Sequence, residues 1–151
     1  MSAIESRRRQ LRELFKQLIT AYGEKDFKTF ADFVHPDAEF DYPYLPLEEF
    51  PKSVQGREAF IRISQAGMAN CDGYHHVVDQ FYDQVDPDSL IVEYHSDTIL
   101  PATGERYGNE YLGILRFEGD QVIYWREYVN PLKIMKAYGL GFENKAARDD
   151  K

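Results

Sequence analysis

The stretch Tyr107 to Pro131, Y-G-N-E-Y-L-G-I-L-R-F-E-G-D-Q-V-I-Y-W-R-E-Y-V-N-P, decides the fold. Two runs rich in β-branched and aromatic residues flank Glu118-Gly119-Asp120, a Gly/Asp turn signal, and so predict a hairpin. Strand side chains alternate between faces. Asn109, Tyr111, Leu115 and Phe117 therefore share one side of the first run, and Ile123, Trp125, Glu127 and Val129 one side of the second. Glu127 falls on a face with an indole and two aliphatic side chains. A carboxylate in that position stands either at a sheet edge or in a pocket where its charge state matters.

Upstream of the hairpin the period is also two. Tyr74 to Val85 reads as a strand, Asp86-Pro87-Asp88-Ser89 as a turn, Leu90 to Leu100 as a second strand and 101–104 as a loop. Four long strands joined by short turns predict an antiparallel meander. Its apolar face needs a cover, which the N-terminal segment supplies. Ser2 to Glu5 has capping-box spacing, and Leu11, Leu14, Phe15, Leu18, Ile19 and Tyr22 recur at helical spacing up to Gly23. Asp26 caps a second helix with the stripe Phe27, Phe30, Ala31 and Val34, which Pro36 is expected to stop. Ala38 to Tyr42 reads as a short strand, and 43–51, with three prolines, as an extended loop that either flaps over a site or packs on the surface. A third helix runs from Arg57 to about Met68 with Ala59, Phe60, Ile63 and Gly67 on one face. Asn130-Pro131 opens a last helix in which Leu132, Met135 and Tyr138 point inward, closed by Gly139. The layout is an α+β domain in which a curved antiparallel sheet wraps around N-terminal helices.

Composition narrows the function classes. The chain of 151 residues is expected to form a single domain over 1–142, with a polar, disordered tail at 143–151. A net charge of −8 argues against nucleic acid or an anionic membrane as the main partner. Arg7-Arg8-Arg9, beside Glu5 and Glu13, reads as a solvated helix face. One cysteine, Cys71, excludes an internal disulfide. No signal peptide or transmembrane span is visible, so a soluble, cytoplasmic protein is the expectation. Four histidines without tight spacing make no convincing metal site, and no cofactor is expected.

The pattern V-E-Y-H at 92–95, T-G at 103–104, Y-x-N-x-Y at 107–111 and R-E-Y-x-N-P at 126–131 resembles SnoaL-like sequences. These belong to the nuclear transport factor 2-like superfamily, which also holds ketosteroid isomerase. Within it the pattern is most similar to the phenazine-biosynthesis A/B proteins, over roughly Gly56 to Gly139. The resemblance implies a cone-shaped, cystatin-like α+β barrel with a pocket between the concave sheet face and the helices. It implies a homodimer formed through the outer sheet face. It also implies an acid/base role for Glu127, the one match to the glutamate of the R-E-[FY] segment. The histidine those proteins carry on the third helix is matched here by Ile63.

Site candidates follow from both lines of reading. Glu127, beside Trp125, is the candidate general acid/base; its alternative is a glutamate paired with an arginine at a strand end. Glu93 and His95 share one face of their strand. They form a titratable pair if that face is concave, and surface or interface residues if it is convex. Asn109 and Tyr111 can orient a substrate carbonyl and stabilise negative charge. Trp125, Tyr42, Asp41, Tyr22, Phe60 and Ile63 complete the expected substrate-binding set. The leading reading is a small cofactor-independent enzyme of the isomerase, cyclase or lyase type. It would perform proton-transfer chemistry on a hydrophobic, carbonyl-bearing small molecule, in secondary metabolism. The rival is a non-catalytic ligand-binding or dimeric assembly module of the same fold.

Overall fold

A computed structural model describes residues 1–101 and 103–139. The expected tail at 143–151 lies outside the described residues. The element order is α1 (Ala3–Gly23), α2 (Phe27–Asp32), β1 (Val34–Asp41), β2 (Ser53–Gln55), α3 (Arg57–Gly67), β3 (His75–Asp83), β4 (Ser89–Ile99), β5 (Arg106–Tyr107), β6 (Glu110–Glu118), β7 (Gln121–Val129) and α4 (Pro131–Ala137).

One curved, unclosed sheet runs in the order β2-β1-β7-β6-β4-β3, with β5 paired to β4. The meander β3-β4-β6-β7 is antiparallel, and so is the β1–β2 pair. β1 joins β7 in parallel, a pairing of strands far apart in the chain that no local period foretells. The concave face is covered by helices. Leu11, Phe15, Leu18 and Ile19 of α1 meet Tyr94, Leu115 and Trp125 in one buried cluster. Phe15 sits edge-on to both Tyr94 and Trp125, at centroid separations of 5.2 and 6.0 Å.

Several local expectations need correction. Pro36 does not end α2. That helix stops at Asp32, and Pro36 lies inside β1, within the Val34–Glu39 stretch where the register to β7 shifts, so no ladder hydrogen bond is lost there. Gly23 ends α1, but the left-handed backbone that turns the chain belongs to Lys25, at φ 61°. Gly23 instead serves close approach, because a Cβ there would stand 2.2 Å from the Tyr74 carbonyl oxygen. In α4 the inward side chain is Ile134, while Leu132 and Tyr138 are exposed. In β7 a register shift opposite Arg116 and Phe117 turns Val122 into the core in place of Ile123.

Candidate active site

A cavity of about 170 Å³ lies between α3, the concave sheet face, α4 and the loop after β1. Phe60, Ile63, Ser64 and Gly67 of α3 form one wall. Tyr107, Asn109, Tyr111, Glu127 and Val129 form the sheet side, and Ile134 of α4 an end. Tyr42, Leu45, Phe50 and Pro51 close it from the loop, and Val54 from β2. The Pro-rich loop therefore packs over a site, with Tyr44 at its tip edge-on to Tyr128. Among the described residues, Glu127 is the only acidic side chain in that lining, and Lys, Arg and His contribute none.

Glu127 reaches the cavity because β7 alternates with Trp125 and Val129 inward. Trp125 itself lies deeper, against Phe15 and Phe40. Burial pushes the Glu127 carboxyl from its ordinary 4.5 up to about 7, and a hydrogen bond donated by the Tyr94 hydroxyl opposes that rise. No ion pair engages Glu127 among the described residues, so the strand-end pairing with arginine does not form. Burial also raises the phenols of Tyr22, Tyr42, Tyr94, Tyr107 and Tyr111, and the charge of Glu127 adds to each shift. These five hydroxyls stay protonated at neutral pH and surround one carboxyl group poised to titrate there.

The remaining candidates divide by strand phase. Burial along β4 alternates so that Tyr94 and Ser96 point inward and Glu93 and His95 outward. The outward pair is satisfied on the convex face: Tyr82 donates to Glu93 at 3.0 Å, and His95 Nδ1 meets Asp79 at 2.8 Å. Neither can reach the cavity, so their expected assistance to Glu127 is not supported by geometry. Asp41 also points away, holding the Tyr124 hydroxyl at 2.7 Å and Arg126 at 3.5 Å; burial of Asp41 is outweighed by these bonds, and its carboxyl sits below the ordinary range. Trp125 belongs to the core beneath the cavity and not to its wall. Tyr22 stands behind Phe60 and reaches Ser64 Oγ at 3.4 Å.

Tyr42, Phe60, Ile63, Asn109 and Tyr111 all line the cavity. The amide of Asn109 is already committed: Oδ1 accepts from the Glu110 and Asn130 backbone N–H groups, and Nδ2 donates to Tyr107 Oη and the Asn130 carbonyl. Tyr111 Oη and Ser96 Oγ lie 2.6 Å apart. Three contributors escaped the sequence reading: Tyr94, Tyr107 and Ser64. Tyr94 was legible only once the pairing Tyr94–Tyr111 had fixed the phase of β4. Ser64 is one residue off the apolar stripe, on the turn where α3 faces the cavity.

Among the described residues, no group of three or more His, Cys, Asp or Glu is placed to hold a metal ion, and no helix is long and apolar enough to cross a membrane.

The model of the SnoaL-like domain family matches residues 15–125. An uncharacterized PhzA/B-like protein of Pseudomonas aeruginosa is 28% identical over 117 residues, which cover 76% of this chain and 79% of the relative. Among solved structures, a candidate isomerase from Bacillus subtilis superposes with a TM-score of 0.76 at 24% identity, covering 89% of this chain and 96% of that one. A phenazine biosynthesis-related protein from Pseudomonas aeruginosa superposes with a TM-score of 0.75 at 14% identity, covering 93% and 92%. At these identities the two structures speak for the fold alone.

Proposed function

Because the chain belongs to the SnoaL-like family of the nuclear transport factor 2-like superfamily, we propose that its cavity is the active site of a small-molecule enzyme working by acid/base chemistry without a cofactor. The substrate is a hydrophobic carbonyl compound, and Glu127 is the proton shuttle. One observation carries the reading: the only acidic side chain among the described residues of an apolar cavity has its carboxyl lifted to about 7 by burial. Such a group exists in both forms at neutral pH, which is where proton transfer by a carboxyl group is most efficient.

The chemistry balances without an external reagent. The Glu127 carboxylate removes a proton from the carbon next to the carbonyl. The C–H electron pair moves into the C–C bond and the carbonyl π pair onto oxygen, giving an enolate. Phenol donors at the wall hold that oxygen. The newly protonated Glu127 returns its proton to the same carbon or to a conjugated one, completing exchange or isomerisation. In cyclisation and condensation the enolate carbon attacks a second carbonyl carbon, whose π pair moves onto its oxygen, and Glu127 returns its proton to the alkoxide that forms.

A substrate need not be known to test this. Incubated with cyclohexanone in D₂O, the protein should accelerate deuterium incorporation beside the carbonyl, read by proton NMR. Glu127→Gln should abolish the acceleration while the protein stays folded and loses no thermal stability relative to wild type. Equal exchange by the two proteins would remove Glu127 from the chemistry. The proposal retains a homodimer on the convex face, where Val77, Tyr82 and Ile99 are exposed, and sedimentation velocity reads it directly.

A further inference from the structure

The cavity wall carries more information about the ligand than its apolar character. Its volume, about 170 Å³, is close to the engineered apolar cavities of about 150 Å³ that hold benzene. A single six-membered ring with one small substituent fills it. The unused hydrogen-bonding capacity is of one kind. Tyr107 Oη accepts from Asn109 at 3.1 Å and keeps its own proton free. Tyr42 has no hydroxyl partner among the described residues, and Ser64 is held only at 3.4 Å. Together with protonated Glu127 these are hydroxyl donors, so the wall is built for a ligand that accepts. With no Lys, Arg or His among the described lining residues, a buried carboxylate or phosphate would find no countercharge from them, and a second negative charge would face Glu127.

Resting on the reading of Glu127 as the working group, we propose that the cavity selects an uncharged, single-ring compound bearing one oxygen acceptor and excludes anions. The substituent oxygen points toward Glu127 and the hydroxyls of Tyr42 and Tyr107. The ring lies against Phe60, Ile63 and Val129. A carboxylated substrate would require a cation that the described residues of this wall do not supply.

Three probes of equal ring size test the proposal: cyclohexanone, cyclohexanecarboxylate and cyclohexylammonium. Each is titrated into ¹⁵N-labelled full-length protein at about pH 6, where aliphatic carboxylates are ionised and Glu127 is largely protonated. Cyclohexanone should shift amides of β6, β7 and α3. The carboxylate and the ammonium should each bind at least about tenfold more weakly. Ile63→Trp, which fills the cavity, should abolish ketone binding. If that variant does not fold, Gly67→Leu, on the exposed flank of α3 beside Phe50 (3.4 Å from a Cβ at this position), blocks the same space. Absence of ketone binding, equal or tighter binding of either ion, or ketone binding that survives the blocking variant would overturn the proposal. The proton-shuttle reading fails separately. Selective ketone binding without deuterium exchange would sink the shuttle and leave the ligand class standing, whereas exchange in ketones that also carry a carboxylate would do the reverse.

Discussion

Tyr94 on β4 donates its hydroxyl proton to Oε1 of Glu127 on β7, reaching across the whole of the intervening strand β6. Two inter-strand spacings separate the two backbones, about 10 Å. The side chains span that gap because the residue between them, opposite Glu127 in the register, is Gly113. A phenol that is 1% exposed thereby holds one oxygen of a carboxyl group that lines the cavity.

Removing that hydroxyl should make Glu127 a weaker acid. Burial raises its pKa and the Tyr94 hydrogen bond lowers it, so Tyr94→Phe leaves the raising cause unopposed. The pH profile of ketone deuterium exchange should keep its shape while the limb assigned to Glu127 moves alkaline, by on the order of one pH unit. At neutral pH less carboxylate is available and the rate falls. A limb that stays in place would show that Tyr94 only fills space.

Gly113 should be sensitive for the same geometric reason. A Cβ there would stand 3.3 Å from Tyr94 Cε1, 3.3 Å from Trp125 Nε1 and 3.2 Å from Leu115 Cδ1. Two of those neighbours are rings wedged in the core with little freedom to withdraw. Gly113→Ala should cost about 1–3 kcal/mol in urea unfolding. It should also move the Glu127 limb in the direction that Tyr94→Phe does. The double variant should show no further movement, since both changes break one contact.

The sequence made the core of this site readable, but not its partners. Glu127 stood out because alternation in β7 set a carboxylate beside Trp125 and Val129, a local pattern needing no knowledge of the neighbouring strands. Glu93 and His95 failed the same test for a physical reason. In β4 both alternating sets, Val92-Tyr94-Ser96 and Ile91-Glu93-His95, are partly apolar and partly polar, so the phase is fixed only by pairing with β6. Tyr94 was hidden by the same ambiguity. Trp125 was placed on the correct face, one layer too near the cavity, because alternation gives a face and not a depth. The parallel union of β1 with β7, which carries Tyr42 to the cavity, is a long-range pairing that no local period encodes.

Glu127 should also cost the protein stability in alkaline solution. Its pKa is about 7 in the folded chain against 4.5 ordinarily. Between these values the native state binds more protons than the unfolded state, so unfolding free energy falls as pH rises through this window. Deprotonation is complete above the upper value, where the penalty reaches about 3 kcal/mol. Gln keeps the acceptor for Tyr94 and carries no charge. Glu127→Gln should therefore match wild type near pH 4.5 and become progressively more stable than wild type toward pH 8, by urea unfolding at each pH. His76 has the opposite sign: burial first, then the charges of His75 and His95, lowers it to about 4, so it withdraws stability as pH falls below 6.5. The difference between wild type and Glu127→Gln cancels that contribution. A pH-independent difference would show that Glu127 is not desolvated.

Asn109 tests whether a cavity residue works by touching ligand or by holding the wall. Its side chain is 1% exposed and joins the start of β6 to Asn130, the N-cap of α4. Asn109→Leu preserves volume but leaves the Glu110 N–H without the 2.8 Å acceptor it has now, and leaves the Asn130 N–H with only the Glu110 carbonyl at 3.2 Å. The Asn130 carbonyl and the Tyr107 hydroxyl each lose a donor as well. Orphaned groups of this kind cost about 1–3 kcal/mol each when they stay dry, so the urea midpoint should drop sharply. A wall residue predicts that ketone exchange per folded molecule remains within about threefold of wild type, a change under 1 kcal/mol in barrier. A residue that oriented the carbonyl would lose far more rate than stability, and that outcome would return Asn109 to the substrate-binding set.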